Sequence, residues 1–252
     1  MTPSKNHLRE LLGDSAEYAT YCREERNFGA ILYHLLLSRD NLQAFLKGIN
    51  EPVKDLDGVR IYFEYSHLRD LWCAAARSAA AKALPGQKKP AGNETNVLYR
   101  RAIISMLGLR DDELPPVQNC KEFNAIFTNQ PSAKAIQMPS RWSGSLFRQW
   151  VERFKSRDIA ERICTIKWAF NAKPDIVLHL DSGRVVCIEL KVESNEANYT
   201  IKPADSEPFP KSQIDVQRFA LTELLGYEAR FVLLANFRQQ LAIEHPSKKA
   251  SF

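Results

Sequence analysis

Apolar residues in the first half of the chain recur at helical spacing. Between residues 23 and 49 they lie three or four positions apart, with one interruption at the turn-prone stretch 38–41, which predicts two consecutive helices. Further helices are predicted at the following positions: residues 65–84, 94–107, 121–127 and 144–154. The N-terminal half is therefore expected to be mainly helical.

Short apolar runs replace this spacing from residue 143 onward. They predict strands at residues 163–170, 175–180, 184–192 and 229–235. A polar, proline-rich loop is expected at 195–210, and a helix at 212–225 that ends at Gly226. With the helix predicted at 144–154, these elements follow the order helix, three strands, helix and strand. This order predicts an α/β layer fold. We predict two regions, a mainly helical one over residues 1–140 and an α/β core over residues 141–252.

Charged residues interrupt the apolar strand at 184–192. Side chains alternate between the two faces of a strand, so Cys187, Glu189 and Lys191 share one face, while the residues between them form an apolar face. Charges on a buried strand are costly unless they are paired. This face therefore needs a partner for its charges.

The turn before this strand decides what lies opposite Glu189. A three-residue loop at 181–183, with Gly183 in the left-handed conformation, pairs Leu180 with Arg184. Asp175 then lies opposite Glu189. A two-residue loop would place Leu190 opposite Asp175 instead, so the turn chemistry favours the register that pairs the two acids.

Two opposed carboxylates repel each other at a Cβ separation of about 4.5–5.5 Å. Carboxylate oxygens are ligands for Mg²⁺ or Mn²⁺, and a cation between Asp175 and Glu189 would remove the repulsion. Lys191, on the same face, could hold or deprotonate a water or stabilise charge on a phosphate. The alternative is an ordinary half-exposed hairpin on which Glu189 and Lys191 face solvent.

Pro174-Asp175 followed by Glu189-Leu190-Lys191 on the next strand resembles the signature of the PD-(D/E)xK nuclease superfamily. The resemblance covers residues 143–236 and implies a restriction-endonuclease-like fold, a mixed sheet flanked by helices. It implies that Asp175, Glu189 and the Leu190 carbonyl bind Mg²⁺ or Mn²⁺ and that Lys191 assists the attacking water.

The helix after this strand opens with a second motif. Gln213-Ile214-Asp215-Val216-Gln217 resembles the Q-L-x-x-Y motif of RecB-like members, with Gln217 where that motif has Tyr. Gln213 and Gln217 are one helical turn apart and share a face. The resemblance thus adds Gln213 to the catalytic residues, whereas a glutamine on a helix is more often a solvated surface residue.

Members of this superfamily often add a Glu from the first core helix. Glu152 precedes the predicted strands directly, whereas Glu25 would qualify if residues from about 46 to 141 form an insertion. We favour Glu25, because polar groups concentrate there directly before a strongly apolar helix. Either acid could equally be a charge at a helix start or on a solvated face.

Composition restricts the possible functions. The chain has 35 Lys and Arg against 30 Asp and Glu, a net charge of +5 that is compatible with a phosphate-bearing partner. The five cysteines form no C-x-x-C pair, which argues against zinc and iron–sulfur sites. No apolar run is long enough to cross a bilayer, so we expect no membrane partner and a cytoplasmic protein.

The leading expectation is a Mg²⁺- or Mn²⁺-dependent nuclease that hydrolyses the phosphodiester bonds of DNA, with phage defence or DNA maintenance as the role that the resemblance implies. The alternative is a nucleic-acid-binding or assembly protein that keeps the fold without cleaving. For that alternative, the helical N-terminal half would bind protein partners.

Overall fold

A computed structural model describes residues 25–81, 91–114, 119–191, 198–201 and 209–235. In these ranges the chain is a mixed α/β structure with eight α-helices, a four-stranded mixed sheet and a separate two-stranded sheet. The helices are α1 (Glu25–Leu36), α2 (Arg39–Gly48), α3 (His67–Ala81), α4 (Ala91–Leu107), α5 (Cys120–Phe127), α6 (Phe147–Phe154), α7 (Arg157–Ala169) and α8 (Gln213–Arg218). The strands are β1 (Arg60–Phe63), β2 (Ile176–His179), β3 (Arg184–Lys191), β4 (Asn198–Ile201), β5 (Phe209–Ser212) and β6 (Glu228–Ala235).

The four-stranded sheet has the order β1-β2-β3-β6. Strands β1, β2 and β3 are antiparallel to their neighbours, and β6 runs parallel to β3. A parallel neighbour requires a crossover, which α8 and the π-helical turn Phe219–Leu224 provide. Gly226, with φ +73°, follows this helix and reverses the chain, as predicted.

Each face of the sheet packs against a different set of helices. One face carries Val186, Ile188 and Leu190 and packs against apolar residues of α1 and α2. The opposite face carries Val185 and Cys187 and packs against the π-helical turn. Strand β3 is buried over its length after Arg184, because both of its faces are covered.

The hairpin between β2 and β3 has the register predicted from the turn. Ile176 pairs with Ile188, and the Leu180 N–H donates to the Arg184 carbonyl at 2.9 Å, so the loop has three residues. Gly183 is not left-handed, because the positive-φ glycines among the described residues are Gly108 and Gly226. The prediction for Gly183 was therefore wrong.

Asp181 holds this turn in place of a left-handed glycine. Its Oδ1 accepts hydrogen bonds from the N–H groups of Gly183 and Arg184 at 2.9 and 2.8 Å. Its Oδ2 accepts from the Arg184 guanidinium at 2.7 Å. The Arg184 side chain, followed by the two backbone donors, lowers the pKa of Asp181 to about 2.

The strand predicted at 163–170 is wrong, since these residues form the second half of helix α7 and its C-cap, Phe170. Ser156 caps α7 by accepting from the Ile159 N–H. The second half of α7 is buried on most sides, including Ile163 and Ile166, so its apolar run lacks the periodicity of an amphipathic helix. The first of the three antiparallel strands is instead β1, which was not predicted.

The loop predicted at 195–210 also contains regular structure. Residues 198–201 pair with residues 209–212 as an antiparallel hairpin. The rings of Tyr199 and Phe209 lie 5.5 and 5.7 Å from the ring of Trp168 on α7. This tertiary contact stabilises a hairpin whose local sequence contains a proline in β5.

The predicted helices are largely confirmed, with shifts of one to a few residues at their ends. Helix α4 begins at Ala91 rather than at 94, and the segment predicted at 144–154 has a 3₁₀ turn, Gly144–Leu146, before α6. The division at residue 140 stays a prediction, and the sheet takes one strand, β1, from before that point. No helix in the described ranges is both long and apolar enough to cross a membrane.

Gly29 allows α1 to approach the sheet closely. A Cβ at this position would lie 3.0 Å from Cε2 of Phe63 and 3.1 Å from Cδ1 of Leu190. We expect Gly29→Val to lower the free energy of unfolding by about 1–3 kcal/mol, because overpacking forces the helix outward. Urea denaturation measures this change.

Gly48, the last residue of α2, provides the matched control, since a Cβ there would meet no atom within 4 Å. Gly48→Val should change the free energy of unfolding by less than about 1 kcal/mol, because only helix propensity changes there. Equal effects of the two substitutions would contradict the close packing at Gly29.

Candidate functional site: a buried carboxylate pair

The predicted acidic pair lies where β2 begins and β3 ends. The pairing of Ile176 with Ile188 continues by one residue, so Asp175 lies opposite Glu189. Helix α8 follows the β4–β5 hairpin and packs along this face of the sheet. The site is therefore built from two adjacent strands and one helix.

Glu189 is the centre of the hydrogen-bond network. Its Oε1 accepts from Lys191 Nζ at 3.0 Å and from Gln213 Nε2 at 2.6 Å. Its Oε2 accepts from Gln217 Nε2 at 2.7 Å. Three donors thus surround one carboxylate, which is how a buried acid is normally satisfied.

Lys191 links this carboxylate to the N-terminal region. Its Nζ lies 3.0 Å from Glu189 Oε1 and 3.3 Å from Glu25 Oε2. Glu25 begins α1, which packs on the other face of the sheet. The structure thus brings together residues that are more than 160 positions apart in sequence.

Burial contradicts the alternative in which these charges face solvent. Glu189 is 3% exposed and Lys191 is 7% exposed. Charged residues are almost never this buried unless they are paired. Both belong to an enclosed polar cluster.

Asp175 contributes one carboxylate oxygen to the fold. Its Oδ2 accepts from the Leu190 N–H at 2.9 Å. Its Oδ1 accepts no hydrogen bond from the residues that the structure describes. One oxygen of Asp175 is therefore available to a further ligand.

Gln217 is a site residue that the motif suggests only weakly. It is 0% exposed, and its Oε1 accepts from the Cys187 thiol at 3.5 Å while its amide donates to Glu189. The signal in the sequence is its spacing of one helical turn from Gln213. The reading of this glutamine as a solvated surface residue is wrong.

The two candidates for the additional acid occupy different surroundings. Glu25 contacts Lys191, as described above. The Glu152 side chain is 64% exposed and pairs with Arg148 at 3.0 Å, four residues earlier on α6. The geometry therefore favours Glu25 as the acid that belongs to the cluster.

Glu64 is a nearby acid that the sequence did not indicate. It follows β1 with φ 50°, and its N–H donates to the Asp175 carbonyl at 2.8 Å. Its charge also acts on Asp175. No local motif could have revealed it, because the contact depends on the pairing of β1 with β2.

Burial and nearby negative charges both raise the pKa values of Glu189 and Asp175. Burial, followed by the charge of Asp175, raises the pKa of Glu189. Burial also raises the pKa of Asp175, which the charges of Glu25 and Glu64 raise further. The cluster therefore carries more negative charge than its surroundings stabilise.

Lys191 stays cationic in this cluster. Burial lowers its pKa, but the hydrogen bond and charge of Glu189 outweigh burial and raise the pKa overall. A protonated ammonium can stabilise negative charge, whereas it cannot accept a proton. The geometry thus suits a charge-stabilising role better than that of a general base.

A divalent cation at this site would need several oxygen ligands. No group of three or more His, Cys, Asp or Glu side chains with metal-binding geometry occurs in the described ranges. Asp175 keeps one oxygen available, and three donors fill three of the roughly four acceptor positions of the Glu189 carboxylate. Two carboxylates and the Leu190 carbonyl are oxygen donors, the kind of ligand that a hard cation prefers.

Comparison with protein-family models, with curated proteins and with solved structures gives no match for this chain.

We expect Asp175→Asn to stabilise the metal-free protein. The folded-state pKa of Asp175 is raised, so the contribution of Asp175 to stability is greatest below the ordinary Asp pKa of about 3.9 and is lost as the pH rises through the raised value. Asn removes this penalty and still accepts from the Leu190 N–H. Thermal midpoints in EDTA should favour the variant at pH 7, with a difference that shrinks toward pH 4.

A wild type more stable than Asp175→Asn in EDTA at pH 7 would contradict a strained acidic pair. A matched control is Asp181→Asn, because Asp181 has a lowered pKa. Its wild-type contribution should be present at pH 7 and be lost as the pH falls from 4 to 2.

Gln217→Leu should cost about 1–3 kcal/mol of unfolding free energy, because it leaves a buried Glu189 oxygen without its donor. Gln213→Leu should cost less, since Gln213 is half-buried and water can replace its amide. Urea denaturation of both variants checks the order. A larger loss of stability in Gln213→Leu than in Gln217→Leu would show that Gln217 is not the donor that stabilises the buried Glu189 carboxylate.

Proposed function

We propose that this chain is a Mg²⁺- or Mn²⁺-dependent nuclease that hydrolyses phosphodiester bonds of DNA. The observation that carries the proposal is the opposed pair Asp175 and Glu189 with Lys191 on the same face. An acid pair with raised pKa values and an adjacent ammonium suits cation-assisted phosphoryl chemistry.

The fold also supports the proposal. A helix, three antiparallel strands, a helix and a parallel strand surround the pair, with helices α3–α7 lying between β1 and β2 in sequence. We propose that this arrangement is the restriction-endonuclease-like fold that the Pro-Asp and Glu-x-Lys motifs imply. In this proposal the insertion that makes Glu25 the acid of the first core helix lies between β1 and β2. It begins and ends later in the chain than the expected range of about 46–141, because β1 is a strand of the sheet and α7 precedes β2.

Each residue of the cluster has a role that follows from its contacts. Asp175 and Glu189, with the Leu190 carbonyl, would hold the cation. Such a cation supplies charge neutralisation at the attacked phosphate. Lys191 stabilises the negative charge that develops on the phosphate and orients the attacking water.

The two glutamines hold Glu189 in position. Gln217 is buried and donates to Oε2, which fixes the carboxylate plane. Gln213 is half-buried and donates to Oε1 from the open side, so it can also contact a water or a phosphate oxygen. Glu25 positions the Lys191 ammonium from the opposite side.

Cleavage of plasmid and linear DNA tests the proposal. The wild type should cut with Mg²⁺ or Mn²⁺ and not in EDTA, and Lys191→Met should lower the rate by about 10²–10³-fold. Glu25→Gln should also lower the rate, whereas the matched control Glu152→Gln should not. Circular dichroism confirms that each variant is folded.

No cleavage by the wild type with either metal, or equal cleavage by Lys191→Met, would contradict the proposal. An RNA of the same sequence, assayed in parallel, shows whether cleavage requires deoxyribose. Impairment of Glu152→Gln with full activity of Glu25→Gln would reverse the assignment of the additional acid.

A second candidate is a nucleic-acid-binding or assembly protein that does not cleave. It is favoured by the satisfaction of Glu189 by three protein donors, which holds the cluster together without a cation. Titration calorimetry with Mn²⁺ separates the two candidates. Binding that Asp175→Asn abolishes supports the nuclease, and no binding by the folded wild type supports the second candidate.

A further inference from the structure

Two cations converge on one carboxylate beside the acidic pair. Arg26 Nε lies 2.7 Å from Glu64 Oε1, and Lys173 Nζ lies 3.9 Å from Glu64 Oε2. The three residues belong to different parts of the chain: α1, the end of β1 and the approach to β2. They form the Arg26–Glu64–Lys173 cluster.

The backbone fixes this cluster next to the site. Glu64 has φ 50°, a conformation that residues other than glycine rarely adopt. In this conformation its N–H donates to the Asp175 carbonyl at 2.8 Å, and the Tyr65 N–H donates to the Pro174 carbonyl at 3.0 Å. The position of Glu64 is thus tied to the main chain of Asp175 itself.

Both cations are open to solvent at the rim of the site. The Arg26 side chain is 72% exposed and the Lys173 side chain is 46% exposed. Arg26 directly follows Glu25, and Lys173 is separated from Asp175 only by Pro174, whose ring restricts the backbone. Each cation therefore lies within one or two residues of an acid of the cluster.

The site beside these two cations is rich in negative charge. Three carboxylates, those of Glu25, Asp175 and Glu189, lie around the ammonium of Lys191, so the site concentrates negative charge. A polyanionic strand would be repelled from such a surface. Exposed cations at the rim offset this repulsion.

We propose that Arg26 and Lys173, held in place by Glu64, bind a backbone phosphate of a nucleic-acid strand next to the acidic pair. This inference rests on the proposed function and names the residues through which the substrate is held. With Nε on Glu64, the terminal nitrogens of Arg26 can bind phosphate oxygens. Lys173 adds a second charge from the side of Asp175.

Binding of a labelled duplex, measured by fluorescence anisotropy with Ca²⁺ in place of Mg²⁺, tests the inference over a series of salt concentrations. Arg26→Gln and Lys173→Gln should each weaken binding by up to about fivefold. Each should also reduce the slope of log K against log salt by about 0.9 on duplex DNA and about 0.7 on a single strand. Arg26→Lys, which keeps the charge, should keep the slope.

Arg101→Gln and Lys47→Gln are the matched controls, because both residues are exposed on helices, α4 and α2. They should keep the wild-type slope. Thermal midpoints show whether each variant is folded, and the salt slope is not changed by a small loss of stability.

A wild type that binds and cleaves DNA, with unchanged slopes in Arg26→Gln and Lys173→Gln, would overturn this inference and leave the proposed function intact. A folded wild type that neither binds nor cleaves would overturn both. Calorimetry with inorganic phosphate forms a separate arm. Phosphate binding lost in the double variant, with unchanged duplex affinity, would overturn the assignment to a nucleic-acid strand.

Discussion

The burial of Glu189 is the constraint on which the rest of the structure depends. A carboxylate that is 3% exposed on a strand covered on both faces would be expelled or protonated without donors. Lys191 from the same strand, and Gln213 and Gln217 from α8, supply them. Helix α8 must therefore lie against this end of the sheet, between the β4–β5 hairpin and the parallel strand β6 in the chain.

The same constraint connects the two halves of the chain. Lys191 is shared between Glu189 and Glu25, so α1 must begin beside the end of β3. The absence of a side chain at Gly29 lets α1 lie close enough to Phe63 and Leu190 for this contact. Helices α3 to α7 then form a largely separate apolar cluster, which shares few elements with the sheet. The candidate site is thus confined to the sheet and its two flanking helical layers.

The sequence predicted the centre of this arrangement because local rules decide it. The alternation of side chains along β3 and the three-residue loop at 181–183 are enough to place Asp175 opposite Glu189. The conformation of Gly183 was predicted wrongly, because hydrogen bonds from the loop N–H groups to the Asp181 carboxylate stabilise the turn without a left-handed glycine. Helix α7 was mistaken for a strand, since a run that is buried on most sides has no clear period.

Contacts between distant segments could not be predicted from local sequence rules. Strand β1 is half-buried and short, so its pattern is weak, and Glu64 gains its importance only from pairing with the chain near Asp175. The sequence favoured Glu25 over Glu152 only through the polar residues before α1, because the proximity of Glu25 to Lys191 depends on how α1 packs. Gln217 had a visible signal, its spacing from Gln213, but its complete burial depends on Cys187 and Glu189.

We expect Asp175 and Glu189 together to bind a divalent cation. Anomalous diffraction from crystals soaked in Mn²⁺ tests this expectation most directly. One anomalous peak should lie within coordination distance, about 2.0–2.6 Å, of a carboxylate oxygen from each residue. A folded protein at saturating Mn²⁺ with no peak there, and with Lys191 still bound to Glu189, would contradict it.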